Sequence, residues 1–342
     1  MVVGDSVSCS WYTPRLSGAE HVSLVGDDSP ARCIAPQDWW EHVLSTSPNY
    51  HQVNVLEGGE ELGRIQYFAK RSRLGFKWGR NPDWSIPQTL CIRSRLTPQK
   101  RTDIIEQLIA QLPTNVSFYL VFREDAGWSQ DTVDVFSRHG FEHSRVPTYQ
   151  WKPKDGDVLG LMKSKARSQL RSAQKNLEIV EIGSDEFLRY YNKNLVLERM
   201  RALRPLPLAK ELLQTALGQQ AARIIAARRP SQSADYDAAI ACTWDDERYY
   251  YWMSSNSPSN VSRRKPHKDA VKVLVLDAML HAKSLGLIFD TDGIGSPGSE
   301  HLYRDLLKLT RADIRHVFKR TSKFVATYER YRPLFVRKAV RA

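Results

Sequence analysis

Two groups of cations have a spacing that could do chemistry. Lys163, Arg167, Arg171 and Lys175 follow at steps of four, so a helix would carry them on one face, and no carboxylate lies among them. Such a face can hold phosphates; it is also the pattern of a solvated helix surface. Arg263, Arg264, Lys265 and Lys268 surround the start of a second helix, opened by Pro266, where backbone donors and side-chain charges could act on one anion. The plainer alternative there is a flexible basic loop. Asp290 and Asp292 close a short apolar run, and a carboxylate at a strand end can accept or orient a proton, although Thr291-Asp292-Gly293 is also good turn chemistry. Tyr250 and Trp252 alternate with Tyr249 and Tyr251, so one pair faces a core and the other faces away, where an aromatic could position a substrate. Arg199 or Arg201, with Arg204, lies in a proline-broken stretch that reads as a lid or an ordinary connector.

The charge supports attention to the cations. The chain of 342 residues carries a formal +12, yet residues 163–175 supply +5 and residues 311–342 another +8, leaving the remainder at −1. An anionic partner at a local site fits this better than a uniformly basic surface. With 42% hydrophobic and 10% aromatic residues the chain builds sizeable cores, which excludes disorder as its main state. The length favours two domains or one doubled fold. No apolar run approaches the roughly 20 residues of a membrane span. The first ten residues do not read as a secretory signal, so a cytoplasmic location is expected. Four widely scattered cysteines read as structural thiols. Serine-hydrolase, Walker, dinucleotide and zinc-protease motifs are missing, and the nine scattered histidines suggest no metal site.

Positioning falls to two similar series of elements. A helix at 37–44 precedes strands at 51–56, 64–70 and 89–93, then a helix opened by Thr97 and Pro98 with an apolar face of Ile104, Ile105, Leu108, Ile109 and Leu112. A strand at 116–122, a helix at 131–138 and a strand ending at Trp151 complete the first series. The second has strands at 222–227, 238–244 and 249–253, a helix at 266–285, a strand at 287–290, a helix at 300–307 and a strand at 314–318. A constant offset of 168 residues aligns them without a gap, pairing Pro98 with Pro266 and residues 118–122 with 286–290. The pattern predicts an internal duplication, with the basic helix and residues 185–217 joining or decorating the halves.

Strands, a helix, a strand splayed at its end, a helix and a last strand resemble the GNAT acyltransferase fold. The second half carries Tyr249-Tyr250-Tyr251-Trp252, then Asp277-Ala278, Ala282-Lys283-Ser284-Leu285-Gly286 and Phe289-Asp290, and residues 163–176 resemble a basic helix that opens a second domain. Together these resemble the FemABX-like tandem GNAT group over residues 36–335. The resemblance implies an α+β (mixed α/β) chain of two tandem GNAT-like domains, each a mixed, largely antiparallel sheet flanked by helices, at 36–155 and 156–342 behind a loosely packed leader at 1–35. It implies transfer of an acyl or aminoacyl group from an activated carrier to an amine, by direct attack. The carrier, aminoacyl-tRNA or acyl-CoA, is then a co-substrate and no permanent cofactor is required. The acceptor would be an amine-bearing small molecule or peptide, with tRNA a possible partner.

The turns at 93–98 and 263–266 contain no glycine, unlike the pyrophosphate turns of ordinary GNAT enzymes, so the donor stays open. On the resemblance, Leu302-Tyr303 followed by Lys308 matches a lysine that binds the donor or stabilises its transition state, though with altered spacing. Lys308 also stands where the first copy has the turn glycine Gly140, and a helix-end lysine favourable to the macrodipole is its structural alternative. Asp290 or a water would manage the proton. Lys163, Arg167, Arg171, Arg263, Arg264 and Lys268 would hold the carrier, and Tyr250, Trp252, Asp292 and Tyr303 the substrate. The rival reading is a non-catalytic protein of the same fold that binds RNA or another polyanion through its basic stretches.

Overall fold

A computed structural model describes residues 38–330 apart from 73, 85, 87–89, 94–95, 125–127, 199–205, 231–234, 259–264, 294–296 and 329. The leader, Arg263, Arg264 and the arginines of 199–204 therefore lie outside the described residues. Helix α1 (Asp38–Ser45) leads into strands β1 (Tyr50–Glu57), β2 (Glu60–Arg71), β3 (Lys77–Arg80) and β4 (Cys91–Ile92). Helix α2 (Pro98–Ala110), β5 (Val116–Arg123), α3 (Gln130–Arg138) and β6 (Glu142–Trp151) follow. After a 3-10 turn and the short α4 (Val158–Leu161) come α5 (Ser164–Asn176), β7 (Glu178–Glu181), α6 (Ser184–Leu197) and α7 (Leu206–Gly218). The last series is β8 (Ala222–Arg228), β9 (Ala238–Trp244), β10 (Arg248–Asn256), α8 (Ala270–Ser284), β11 (Ile288–Asp290), α9 (Pro297–Glu300), a π-helical turn His301–Leu306 and β12 (Thr310–Arg320).

The offset of 168 residues carries β6 onto β12, α2 onto the start of α8, and Gly140 onto Lys308. Both of those turn residues have left-handed backbones, at φ 78 and 57. Strands β3 and β5 run parallel in the first series, as β10 and β11 do in the second; every other pair is antiparallel.

All the strands form a single sheet, ordered β1-β2-β3-β5-β12-β6-β11-β10-β9-β8-β7, with β4 beside β2. The last strand of each series has been exchanged. Strand β12 lies between β5 and β6, with Phe318 opposite Leu120 on one side and His143 on the other, while β6 passes on to β11 through Gln150 opposite Asp290. Each core consequently contains side chains from the other series. Phe318 packs with Ile104, Leu108, Phe122 and Phe136 under α2 and α3. Tyr149 and Trp151 pack with Val273, Leu276, Tyr249 and Phe289 under α8. A third core covers the opposite face, where α1, α6 and α7 bury Trp40, Phe187 and Leu212 against Phe68, Ile224 and Met253.

No helix among the described residues is long and apolar enough to cross a membrane. The reading of structural thiols holds for Cys242, a buried free thiol whose pKa burial raises to about 12, but not for Cys91, which is disulfide-bonded.

Candidate functional site

Strand β10 meets β11 only over Arg248–Tyr250, opposite Ile288–Asp290; β11 then stops and β10 runs on to Asn256. The sheet therefore opens just beyond Tyr250 and Asp290. A register shift in the β9 pairing between Tyr251 and Met253 leaves Trp252 bulged at the same level. The alternation left open by the sequence resolves here. Tyr249 and Tyr251 point into the α8 core, whereas Tyr250 and Trp252 face the other way. Trp252 donates from Nε1 to the Trp84 carbonyl at 2.9 Å and lies 4.9 Å from the Trp40 ring, so it fastens the second series to the first.

Asp290 is 3% exposed and sits in a dense polar node. Its Oδ1 accepts from Thr148 Oγ1 at 2.6 Å and from the Asp292 backbone N at 2.9 Å; Oδ2 accepts from Gln150 Nε2 at 2.7 Å and lies 3.7 Å from Arg248 Nη1. Both oxygens are thus engaged. Next to it the Tyr250 hydroxyl donates to Asp245 Oδ2 at 2.7 Å, and Asp245 Oδ1 accepts from the backbone N of Glu247 and Arg248. Burial pushes the Asp245 carboxyl above its usual range, against the Tyr250 hydrogen bond, and pushes the Tyr250 phenol far above its own. Arg123, at the end of β5, lies 5.2 Å from the centre of the Tyr250 ring. Burial disfavours its charge, but Tyr250, Asp290 and Asp245 outweigh burial and keep it a cation. Asp292 adopts φ 52 in the turn after β11, with Arg315 Nη1 3.7 Å from Oδ1, so the turn role and the carboxylate both exist there.

On the α8 face a small pocket with room for about 20 Å³, partly open to solvent, lies between α5, the head of α8 and the end of the π-helical turn. Met162 and Ala166 line one side, Asp269 and Lys272 the head of α8, and Leu306 and Leu307 the far side. Helix α5 is held there by Leu170 and Ala173, the buried stripe of an otherwise polar helix. Four cations singled out in the sequence are chain neighbours of these wall residues: Lys163 follows Met162, Arg167 follows Ala166, Lys268 precedes Asp269 and Lys308 follows Leu307. Arg171 and Lys175 extend the exposed face of α5 away from the pocket. Lys163, Arg167, Arg171 and Lys175 make no ion pair among the described residues. Tyr303 is buried behind the pocket, 6.0 Å from the Tyr149 ring and 6.3 Å from that of Tyr251, and burial raises its phenol pKa. Its position is that of a packed wall.

Sequence reasoning missed several members of this region. Thr148 and Gln150 alternate with the core residues Tyr149 and Trp151, a polar and apolar alternation that marks a strand with a polar face. Asp269, directly before the apolar run of α8, stands at a visible N-cap position. A third group had no local signal: His143 Nε2 lies 2.9 Å from His316 Nδ1, and His316 Nε2 lies 2.7 Å from Glu124 Oε1, joining β6, β12 and the end of β5. No group of three or more His, Cys, Asp or Glu among the described residues is placed to hold a metal ion.

No protein-family model matches the sequence, and no curated protein matches it. Solved structures do match. The chain is similar to FemX at 11% identity and a TM-score of 0.57, over 88% of this chain and 95% of that one. It is similar to L-PGS from Bacillus licheniformis at 10% identity and a TM-score of 0.53, over 83% and 92%. A tandem GNAT protein from the clavulanic acid biosynthesis pathway aligns at 12% identity and a TM-score of 0.50, over 85% and 89%. The chain therefore has a FemABX-like tandem GNAT fold, and at these identities the likeness is one of fold.

Proposed function

We propose that the chain is an N-acyltransferase that passes an acyl or aminoacyl group from an activated carrier to an amine by direct attack. The observation that carries this reading is that Lys163, Arg167, Lys268 and Lys308 each stand next in the chain to a residue lining a small, largely apolar pocket at the head of the main helix of the second series. Cations next in the chain to apolar wall residues would suit a carrier that is anionic outside the reacting centre and uncharged at its carbonyl. A tandem GNAT protein among the structures of the same fold supports acyl transfer as the chemistry.

In the transfer, the acceptor nitrogen forms a bond to the carrier's carbonyl carbon, the ester or thioester bond breaks, and the proton lost by the amine reaches the leaving group through water. Lys308 would stand by the developing oxyanion. Asp290, whose oxygens are taken, would act as a positioning residue: it fixes Thr148 and Gln150 across the join between the series and, through Arg248 and Asp292, the edge where the strands part. Tyr250, Trp252 and Asp292 would shape the acceptor side, at the opening where β10 and β11 part.

The triple variant Lys163→Glu/Arg167→Glu/Lys268→Glu tests the carrier site. Binding of tRNA and of acyl-CoA, followed by anisotropy and thermal shift, should weaken at least tenfold for whichever carrier the native protein binds, with an unchanged melting temperature. Unaltered binding would overturn the site. The basic face of α5, without an ion pair among the described residues, also favours the plain polyanion reading, which predicts that tRNA binding survives Lys308→Gly and that no charged tRNA or acyl-CoA is consumed.

A further inference from the structure

We infer that Arg315 is a positioning residue for the opening beyond Tyr250 and Asp290: carried on a bulge of β12, it braces the turn at 290–293, and the hydrogen-bonded chain of Glu124, His316 and His143 locks it there from the other face of the sheet. The use of that brace rests on the acceptor side proposed above; the brace itself does not.

The bulge makes the arrangement possible. Ala312 lies opposite Thr148 and Arg315 opposite Val146, so three steps along β12 answer two along β6. The β6 residue inside that interval is Pro147, which has no N–H to give to a ladder. In a regular strand, residues three apart face opposite sides. Here Ala312 and Arg315 share the face of Thr148 and Arg123, while His316 turns to the face of Phe318.

Arg315 is held there by its strand more than by its own bonds. Its partner across the ladder to β5 is Arg123, a like charge. Its Nε is buried and has no hydrogen-bond partner among the described residues. What the guanidinium meets is the turn: Nη1 lies 3.7 Å from Asp292 Oδ1 and 2.5 Å from where a Cβ on Gly293 would stand. A side chain at 293 would displace it, and φ 114 already favours glycine there. The Gly293 backbone N donates to Thr148 Oγ1 at 3.2 Å and the Asp292 backbone N to Asp290, so the turn is pinned between Arg315 and the polar node.

The lock lies one residue on. His316 is fully buried and both its ring nitrogens are engaged, Nε2 with Glu124 Oε1 at 2.7 Å and Nδ1 with His143 Nε2 at 2.9 Å. A carboxylate only accepts, so His316 Nε2 carries its proton, Nδ1 offers a lone pair and His143 donates. A first added proton enters at His143 Nδ1, which makes no hydrogen bond among the described residues, and breaks nothing. A second, on His316 Nδ1, sets N–H against N–H and parts the chain. The charged groups facing the imidazoles are Glu124 from the end of β5 and Arg145 from β6, whose Nη2 lies 3.8 Å from Glu124 Oε1. Trp128, 4.2 Å from the His316 ring, and Phe318 add no charge. Burial lowers both imidazole pKa values, so the second proton arrives only in acid.

Amide hydrogen exchange followed by NMR tests this without a substrate, so its outcome is separate from that of the carrier experiments. The Gly293 N–H is the reporter and the amides of β5 are the reference. Arg315→Met should speed exchange at Gly293 at least about tenfold while the β5 amides change less than about twofold. In the native protein, protection at Gly293 should fall by a similar factor between about pH 7.5 and 5, beyond any fall in β5. His316→Phe keeps a ring beside Trp128 but none of the chain's hydrogen bonds; it should show the lowered protection at both pH values, and adding Arg315→Met should lower it no further. Unchanged exchange at Gly293 in Arg315→Met overturns the inference. So does a native protection that is flat with pH, or one that falls equally in His316→Phe. Should a variant fail to fold, the native pH series decides alone.

Discussion

At the head of its main helix, each half of the chain treats the same problem differently. In the first half Thr97 folds back on α2, its hydroxyl accepting from the Lys100 backbone N at 3.3 Å, and Pro98 fills the first turn. In the second, Asp269 gives its carboxylate to Lys272 and leaves the helix start without a side-chain cap. The contrast recurs along the repeat. Phe122, at the position of Asp290, is packed among phenylalanines, whereas Asp290 organises a polar node; Gly140 makes a left-handed turn at no cost, whereas Lys308 makes the same turn against its own Cβ. The first half has been resolved in favour of packing. The second keeps local features that lower stability, and such features gather at working sites.

The comparison can be broken most forcefully at Asp290. Removing its carboxylate with Asp290→Ala strands Thr148, Gln150 and Arg248 in a buried node, and should cost about 3–5 kcal/mol in urea unfolding. A cost below about 1 kcal/mol would show that the node is not an organising element.

The turn pair gives a smaller, signed test. Gly140→Ala should destabilise the first half by about 1–2 kcal/mol, because a Cβ is disfavoured at φ 78. Lys308→Gly should stabilise the second by up to about 1 kcal/mol and, if the ammonium serves the carrier, weaken transfer at the same time. A gain in stability with full activity would make Lys308 a turn residue alone.

The smallest effect is one of pH. Burial, helped by His316 and Arg145, lowers the His143 pKa; burial also lowers those of His316, against Glu124, and of His281 in the second half. Each imidazole takes a proton more readily unfolded than folded, so the unfolded chain binds more protons once the pH drops below about 6.5. Stability should therefore hold above that value and decline from there towards the lower folded pKa values. Urea midpoints at pH 8, 6.5 and 5.5 should show that decline, and His316→Gln should flatten it more than His281→Gln, since His316 and His143 lie against each other where β12 pairs with β6.

Much of this architecture was legible in the sequence because its elements carry strong periodicity. The apolar stripe of α2, the alternating aromatics of β10 and the run before Asp290 all lie where the pattern predicted them, and the offset of 168 residues carries the bounds of β6 onto those of β12. Strand β3 was not legible. It is four residues long and contains Gly79, which is there because the Phe118 ring lies where a Cβ would stand, a packing reason invisible from the local sequence. The exchange of last strands was also hidden, since periodicity identifies a strand but not its neighbour. The Glu124, His316 and His143 group shows the same limit, its members being brought together by that exchange across up to 192 positions. Among the candidate site residues, the cations of α5, Lys268 and Lys308 were singled out from charge and the repeat. Asp269 and Lys272 escaped because a lone acid and base at a helix start look like ordinary helix chemistry.

The position of β12 bears on how the protein is made. During synthesis every other strand of the first half emerges well before residue 310, yet the sheet edge at β5 has no neighbour until the last strand arrives. That edge is a strand of Phe118, Leu120 and Phe122, the kind of surface that pairs with whatever strand is at hand. The nascent chain must keep it shielded for about 190 further residues of translation, on the order of 10–40 s at ordinary elongation rates. Synonymous changes that slow the ribosome between β6 and β12 would lengthen that interval and lower the soluble yield without altering a single amino acid.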